Sequence, residues 1–110
     1  MAETFKNASL QNVSNSSAQT LYTAPSATST IVLGAALANK TGNTISATLN
    51  FVDTSASTTT KMLNSVQIPP NTTLEVFAGQ KYVLETGDSL SVLSSVGSAL
   101  DVTLAVLELS

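Results

Sequence analysis

The stretch Thr44-Ile-Ser-Ala-Thr-Leu-Asn-Phe-Val-Asp53 alternates apolar and polar residues. One side of it carries the apolar residues Ile45, Ala47, Leu49 and Phe51, and the other side carries mostly serine, threonine and asparagine. Successive side chains of a β-strand point to opposite faces of the sheet. The alternation therefore predicts a strand that turns one face to a core and the other to water.

Other short apolar segments flank this strand and are separated by turn residues such as Pro69, Pro70 and Gly87. The predicted strands cover residues 19–23, 30–39, 44–53, 61–68, 73–78, 81–84, 89–95 and a closing strand from residue 100. The strand at 30–39 is almost entirely apolar, so we expect it to be buried on both faces. About eight short strands, with no sustained helical period, predict a single all-β domain, an antiparallel, jelly-roll-like β-sandwich.

Residues 1–18 are predicted to form an N-terminal arm, and residues 19–110 to form the β-sandwich domain. Asparagine and serine in the first segment favour turns over helix. Phe5, Leu10 and Val13 are isolated apolar residues within it. The segment is either a frayed terminus or an arm that orders against a neighbouring subunit. A large exposed aromatic ring such as Phe5 usually finds a partner.

The closing strand changes phase near its end. Leu107 and Leu109 are out of step with Leu104 and Val106. A β-bulge would produce this change, and so would burial of both faces, one in the core and one under a partner. The candidate interface residues are therefore Phe5, Leu10, Val13, Leu107 and Leu109.

The composition argues against catalysis and against a cofactor. The chain has no histidine and no cysteine, which excludes Ser–His and Cys–His nucleophiles and thiolate metal sites. Glu85 and Asp88 share one turn, where Asp88 is expected to accept hydrogen bonds from nearby backbone amides. The alternative there is a weak calcium site. We expect no enzyme activity, no catalytic residues and no cofactor.

The charge pattern narrows the choice of partners. Only 10% of the residues are charged, and the formal net charge is −3. The four lysines are scattered, which argues against nucleic acid and against anionic membranes as partners. The N-terminal residues show no apolar leader, and no apolar run approaches the ~20 residues that cross a bilayer, so synthesis in a cytoplasm is expected. Surfaces this poor in charge often lie against other protein.

Tyr22 and Tyr82 offer one alternative to a purely structural role. Two exposed rings would form a stacking platform for a sugar, which would make the chain a carbohydrate-binding β-sandwich module. The competing interpretation places both rings in the core or at its rim.

A series of short segments, taken in order, carries a resemblance. After the polar N-terminal segment come Leu21-Tyr-Thr-Ala-Pro25, Ile31-Val-Leu33, Ile68-Pro-Pro-Asn71, Val83-Leu-Glu-Thr-Gly-Asp-Ser-Leu90 and Val102-Thr-Leu-Ala-Val-Leu-Glu-Leu109. In this order the chain resembles small β-sandwich structural proteins of tailed bacteriophage virions, notably of cyanophage-like marine phages.

The resemblance implies a non-enzymatic virion structural protein, most specifically a decoration or cement protein that binds and stabilises the assembled capsid. It implies a homo-oligomer, often a trimer, whose partners are the major capsid protein or other virion proteins. Such a protein is located in the virion after synthesis in the host cytoplasm. An accessory protein of the neck, tail or fibre is the alternative within this class.

Overall fold

Nine strands are present in the computed structural model, which describes residues 3–54, 56–76 and 82–110. They are β1 (Glu3–Leu10), β2 (Gln19–Thr23), β3 (Ser29–Asn39), β4 (Ile45–Asp53), β5 (Thr58–Ile68), β6 (Thr73–Val76), β7 (Tyr82–Leu84), β8 (Ser89–Ser94) and β9 (Leu100–Leu109). The described residues contain no helix. The predicted all-β class is confirmed.

The strands form two antiparallel sheets. The first sheet has the order β1-β9-β3, and both β6 and β7 pair with the far side of β3. The second sheet has the order β2-β8-β4-β5. Because β6 and β7 share one position, the nine strands occupy eight places. This arrangement is a jelly-roll-like sandwich, as predicted.

The core lies between the two sheets and is built from the alternating faces of the strands. In β4, Ile45, Ala47 and Leu49 are at most 2% exposed, and Phe51 packs against the core from its rim. Burying one large aliphatic side chain contributes about 1.5–3 kcal/mol. The strand predicted from the alternation is therefore present and contributes directly to the core. Both sheets supply further fully buried side chains, among them Val32, Leu37, Leu90, Val92, Leu104 and Val106.

Two of the predicted strands fall partly on residues outside the described ones. The prediction at 73–78 agrees with β6 as far as residue 76, and the prediction at 81–84 agrees with β7 from residue 82. Residues 77, 78 and 81 lie outside the described residues. The remaining predicted strands all have a counterpart in the fold.

Strand β1 comes from the segment that the sequence marks as an arm. It pairs with β9 over all eight of its residues without a register shift. The chain is then held by a backbone hydrogen bond of 2.9 Å from the Val13 amide to the Leu100 carbonyl. The Lys40 ammonium binds both Asn12, in the segment between β1 and β2, and Asp101 of β9, and so links this segment to the first sheet. These residues are thus attached to the sandwich. The division of the chain at residue 18, and a contact of the segment with a neighbouring subunit, stay predictions.

The turn between β7 and β8 has the hydrogen bonds expected of Asp88. Its carboxylate is buried and accepts from the backbone amides of Glu85 and Thr54, at 3.1 and 3.2 Å. Gly87 has a φ of 88°, and a Cβ there would lie 3.0 Å from the Thr54 hydroxyl. Because few other residues adopt such a φ, glycine is favoured at this turn.

Strand β3 differs from the expectation of burial on both faces. Its inward side chains, such as Val32 and Leu37, are fully buried, whereas the outward ones, such as Ile31, are only half-buried. The reason is that the second sheet covers the inner side alone. A register shift between Val32 and Gly34 marks a β-bulge in the middle of the strand. The outer side of the first sheet thus carries apolar side chains that the sandwich core does not use.

Candidate interface

Four apolar residues lie side by side across the outer face of the first sheet. Phe5 of β1 pairs with Leu107 of β9, Leu107 pairs with Ile31 of β3, and Ile31 pairs with Val83 of β7. Residues directly opposite on antiparallel strands point to the same face, with Cβ atoms about 4.5–5.5 Å apart. The register therefore aligns these side chains into one continuous strip, which we call the apolar row.

The two ends of the apolar row are its most exposed parts. Phe5 is 76% exposed and Val83 is 56% exposed, while Leu107 and Ile31 between them are half-buried. Phe5 and Val83 lie on the two outer strands of the described sheet, where fewer neighbours cover them. Leu109 lies on the same face, one outward position further along β9, and is also half-buried.

On one side of the apolar row, the neighbouring surface is small and uncharged. The next outward position along the strands brings together Asn7, Ala105 and Gly34. On the other side, Glu3 lies opposite Leu109 at the corner of the sheet. Glu75 of β6 and Asp101 of β9 also face outward, two and three outward positions away from the row along the strands, so the strip itself offers only hydrocarbon to a partner.

The predicted interface residues separate into two groups. Phe5, Leu107 and Leu109 share the outer face, where a partner can reach them. Leu10 instead packs against the core from its rim, and Val13 is 0% exposed inside it. The last two side chains are therefore occupied by the protein's own interior. The part that any of the five residues plays at an interface stays a prediction, and the surface proposed below does not use Leu10 and Val13.

Sequence reasoning did not select Ile31 and Val83 as interface residues. Each stands in an apolar stretch that is equally compatible with a core position. Only the pairing of β3 with β7 and β9 shows that these two side chains share an outward face with Leu107. The out-of-phase leucines near the end of β9 were the local signal of this surface.

A polar cluster on the inner side explains why Leu107 and Leu109 face outward. The carboxylate of Glu108, between them in sequence, turns inward and accepts a hydrogen bond of 2.5 Å from the Tyr22 hydroxyl. The Lys6 ammonium lies 3.1 Å from the other carboxylate oxygen. Strand β9 has no register shift against β1, so its alternation continues to the end without a bulge. Apolar residues on both faces account for the apparent change of phase.

The same cluster links the two sheets electrostatically. Tyr22 belongs to the second sheet, whereas Glu108, Lys6 and Thr30 belong to the first. Hydrogen bonds from Tyr22 and then from Lys6 hold the pKa of Glu108 below its usual value. Burial, together with the hydrogen bond to Glu108, raises the pKa of Tyr22 to about 12. A neutral phenol and an ionised carboxylate are therefore the stable pair.

The second sheet also carries a row of directly paired residues, and its chemistry is the opposite; β-bulges adjoin this row at Thr20 and at Asn50. Thr20 of β2 pairs with Ser91 of β8, Ser91 with Asn50 of β4, and Asn50 with Lys61 of β5. The Asn50 side-chain amide donates to the Ser91 hydroxyl at 3.2 Å. Thr20 and Lys61, at the two ends, are exposed. We call this set the polar row, and its side chains are suited to bind one another or water.

The two tyrosines lie in different sheets. Tyr22 belongs to the second sheet and Tyr82 to the first, and both pack against the core from its rim. This is the position that the competing interpretation gave them. A cleft of about 150 Å³ opens elsewhere, and its lining contains no aromatic ring: Asn15, Ser46, Thr48, Ser65, Leu93, Ser94 and Ser95. Neither place offers the pair of exposed rings on which a sugar would stack.

Residues 3–54, 56–76 and 82–110, which the structure describes, show no sign of a metal site or of a membrane-spanning helix. Within these ranges, no group of three or more acidic residues, histidines or cysteines is placed to hold a metal ion. The same part of the chain includes no helix that is long and apolar enough to cross a membrane.

Comparisons with known proteins give structural matches only. Neither the family models nor the curated proteins include a match. A chain of the disulfide-linked pili of Bacillus endospore appendages superposes with a TM-score of 0.56 and 10% identity, over 96% of this chain and 85% of that one. A chain of the cyanophage Pam1 capsid asymmetric unit gives 0.52 and 18% identity, over 96% and 83%. At these identities the likeness establishes a shared fold.

Proposed function

We propose that this protein is a non-enzymatic structural subunit of a virus particle, and most specifically a decoration or cement protein of a capsid. The observation that carries the proposal is the apolar row, a strip of four apolar side chains on the outer face of the first sheet. Contiguous exposed apolar surface marks a site that binds another protein, a membrane or a ligand, and of these a flat sheet face best fits another protein. A structural subunit needs such a surface, whereas a catalyst needs a reactive cleft.

The shared fold also supports a role as a structural subunit of an assembly. One of the matching chains belongs to a capsid asymmetric unit and another to a pilus, and both names describe large protein assemblies. The pili are described as disulfide-linked. The present chain has no cysteine, so disulfides cannot join its copies. An apolar strip is the kind of contact that remains available to it.

The protein is proposed to form a homo-oligomer, with a trimer as the expected size, and to bind the major capsid protein in the virion. A ligand that binds only the assembled shell stabilises that shell by mass action. No chemical step is needed for this function.

Quantitative mass spectrometry of purified particles tests the proposal. Particles released from the organism that carries this gene are banded by density, and the tryptic peptide of residues 41–61 is quantified against peptides of the major shell protein. A copy number comparable to that of the shell protein is expected for a decoration protein. A few copies per particle would instead indicate a neck, tail or fibre component. Absence of the peptide from intact particles would contradict the proposal.

A further inference from the structure

We propose that copies of this chain bind one another through the outer face of the first sheet, so that the Phe5 end of one apolar row meets the Val83 end of the next. The inference deepens the proposed function and rests on it for its biological meaning. It goes beyond the predicted interface residues because it adds Ile31 and Val83, and because it specifies which end contacts which.

The distribution of charge favours a second copy as the occupant of this face. When a surface meets its own copy across a symmetry axis, a charge near the axis lies close to an identical charge, which is unfavourable. The apolar row carries no charge, and neither do Asn7, Ala105 and Gly34 on one side of it; Glu3, on the other side, lies at the corner of the sheet and away from the centre of the row. The polar row of the second sheet ends at Lys61 and lacks this property.

The exposure of the row favours contact between its unlike ends. Phe5 and Val83 are 76% and 56% exposed, and they stand three strand spacings apart, about 14 Å. When two copies face each other with their rows antiparallel, Phe5 of each copy lies over Val83 of the other. Both exposed ends of each row are then covered. Two sheets stacked face to face make this contact, and so do three faces turned toward a common axis.

The area of the face is sufficient for a specific contact. Four strand positions span roughly 19 Å, and β9 with its ten residues spans roughly 33 Å. The outer face thus measures on the order of 600 Å² in projection. A standard stable interface takes about 800 Å² from each partner, so this face with its protruding side chains supplies most of that area.

Disulfide trapping of the purified full chain tests the contact, because the protein has no native cysteine. The double variant Phe5→Cys/Val83→Cys is oxidised mildly and run on a non-reducing gel. Within one chain the two positions are about 14 Å apart, well beyond the ~7 Å Cα limit for a disulfide, so every bond formed joins two copies. We expect covalent dimers and higher species. The matched control Thr20→Cys/Lys61→Cys spans the polar row in the same way and is expected to stay monomeric on the gel.

A charge variant provides a second, independent measurement. Phe5→Glu alters a side chain that is mostly exposed in the monomer, so the fold is expected to persist with an unchanged circular dichroism spectrum. Light scattering over a concentration series should then show association weakened by at least tenfold. Thr20→Glu, on an exposed position of the polar row, should leave association unchanged.

Four results would overturn the inference: a wild-type protein that is monomeric at all concentrations, equal trapping in the control pair, equal trapping by Phe5→Cys alone, or undiminished association of a folded Phe5→Glu variant. Each of these leaves the presence of the protein in particles unaffected. Conversely, trapping through Phe5 and Val83 in a protein absent from particles would contradict the proposed function and retain the contact.

Discussion

The outer faces of the two sheets each carry a row of directly paired residues, and the two rows have opposite chemistry. Each presents a row of four directly paired residues across four strands. In the polar row, Asn50 and Ser91 are buried and satisfy each other through a hydrogen bond, while Thr20 and Lys61 at the ends are exposed to water. In the apolar row, Phe5 and Val83 are exposed and have no polar side-chain group to offer. Both rows are formed by direct pairing across four strands, although β-bulges adjoin the polar row where β2 and β5 pair with their neighbours. The opposite chemistry of the two rows lies in their side chains.

This difference indicates which part of the molecule is under a requirement beyond folding. Covering exposed hydrocarbon stabilises a complex by about 25 cal/mol for each Å² that is removed from water. Covering a solvated polar face contributes little. The core is complete without the apolar row, since the inward neighbours Val32 and Val106 are buried. The isolated fold would therefore accept polar residues in the row, and the apolar ones are what the proposed contact requires.

Replacing the apolar row by the residues of the polar row is expected to have the largest effect on self-association. The variant Phe5→Thr/Leu107→Ser/Ile31→Asn/Val83→Lys copies the polar row onto the first sheet. Self-association should fall by about 100-fold or more, since an unpaired charge buried at an interface costs roughly 3 kcal/mol or more. Sedimentation velocity over a concentration series measures the change. Retention of the wild-type oligomer by a folded variant would show that the two faces do not differ in function.

The pH dependence of stability tests the polar cluster that joins the two sheets. The lowered pKa of Glu108 means that its contribution is present above about pH 4.5 and is lost as the pH falls through the lower, folded value. The raised pKa of Tyr22 means that its contribution is present below pH 10 and is lost as the pH rises toward about 12. Urea unfolding across this pH range should show both losses.

Two variants separate the contributions to this profile. Tyr22→Phe should remove the larger part of the alkaline loss and reduce the acid loss, because Glu108 then keeps Lys6 but loses the phenol as a partner. Lys6→Met should reduce the acid loss and leave most of the alkaline loss in place. An alkaline loss in Tyr22→Phe as large as that of the wild type would contradict the assignment.

The hydrogen bond within the polar row should make a smaller contribution, to the stability of the fold. A double-mutant cycle with Asn50→Ala and Ser91→Ala is expected to give a coupling of about 1 kcal/mol in the free energy of urea unfolding. Self-association should be unchanged in all three variants, since they lie on the face that the proposed contact does not use. Coupling near zero would show that water, and not the neighbouring side chain, satisfies the polar row.

The smallest effect is expected at Gly34, beside the apolar row. A Cβ at this position meets nothing within 4 Å, and its φ is not in the left-handed region. Gly34→Ala should therefore raise the free energy of unfolding by about 0.4–1 kcal/mol, because it restricts the unfolded chain. Thermal unfolding measures this change. A destabilisation would indicate that the bulge between Val32 and Gly34 needs the freedom of glycine.

Several local features were predictable because they depend on near neighbours in the chain. The alternation around Leu49 predicted strand β4, and Gly87 and Asp88 predicted a turn that the structure contains. Strand β1, around Phe5, was harder to predict from the sequence, because its polar composition resembles that of a loop. It becomes a strand only through pairing with β9, a contact made across almost the whole length of the chain.

The amino-acid sequence was sufficient to determine the fold class, the position of most strands and the residue types that the protein lacks. These follow from side-chain period, turn residues and composition, which are local or additive properties. The tertiary structure decided which face each apolar residue occupies. Leu107 is outward because Glu108 binds Tyr22 and Lys6 inside, and Ile31 and Val83 join it only through strand register. A row across four strands is a property of pairing between distant segments, and local patterns carry no information about that pairing.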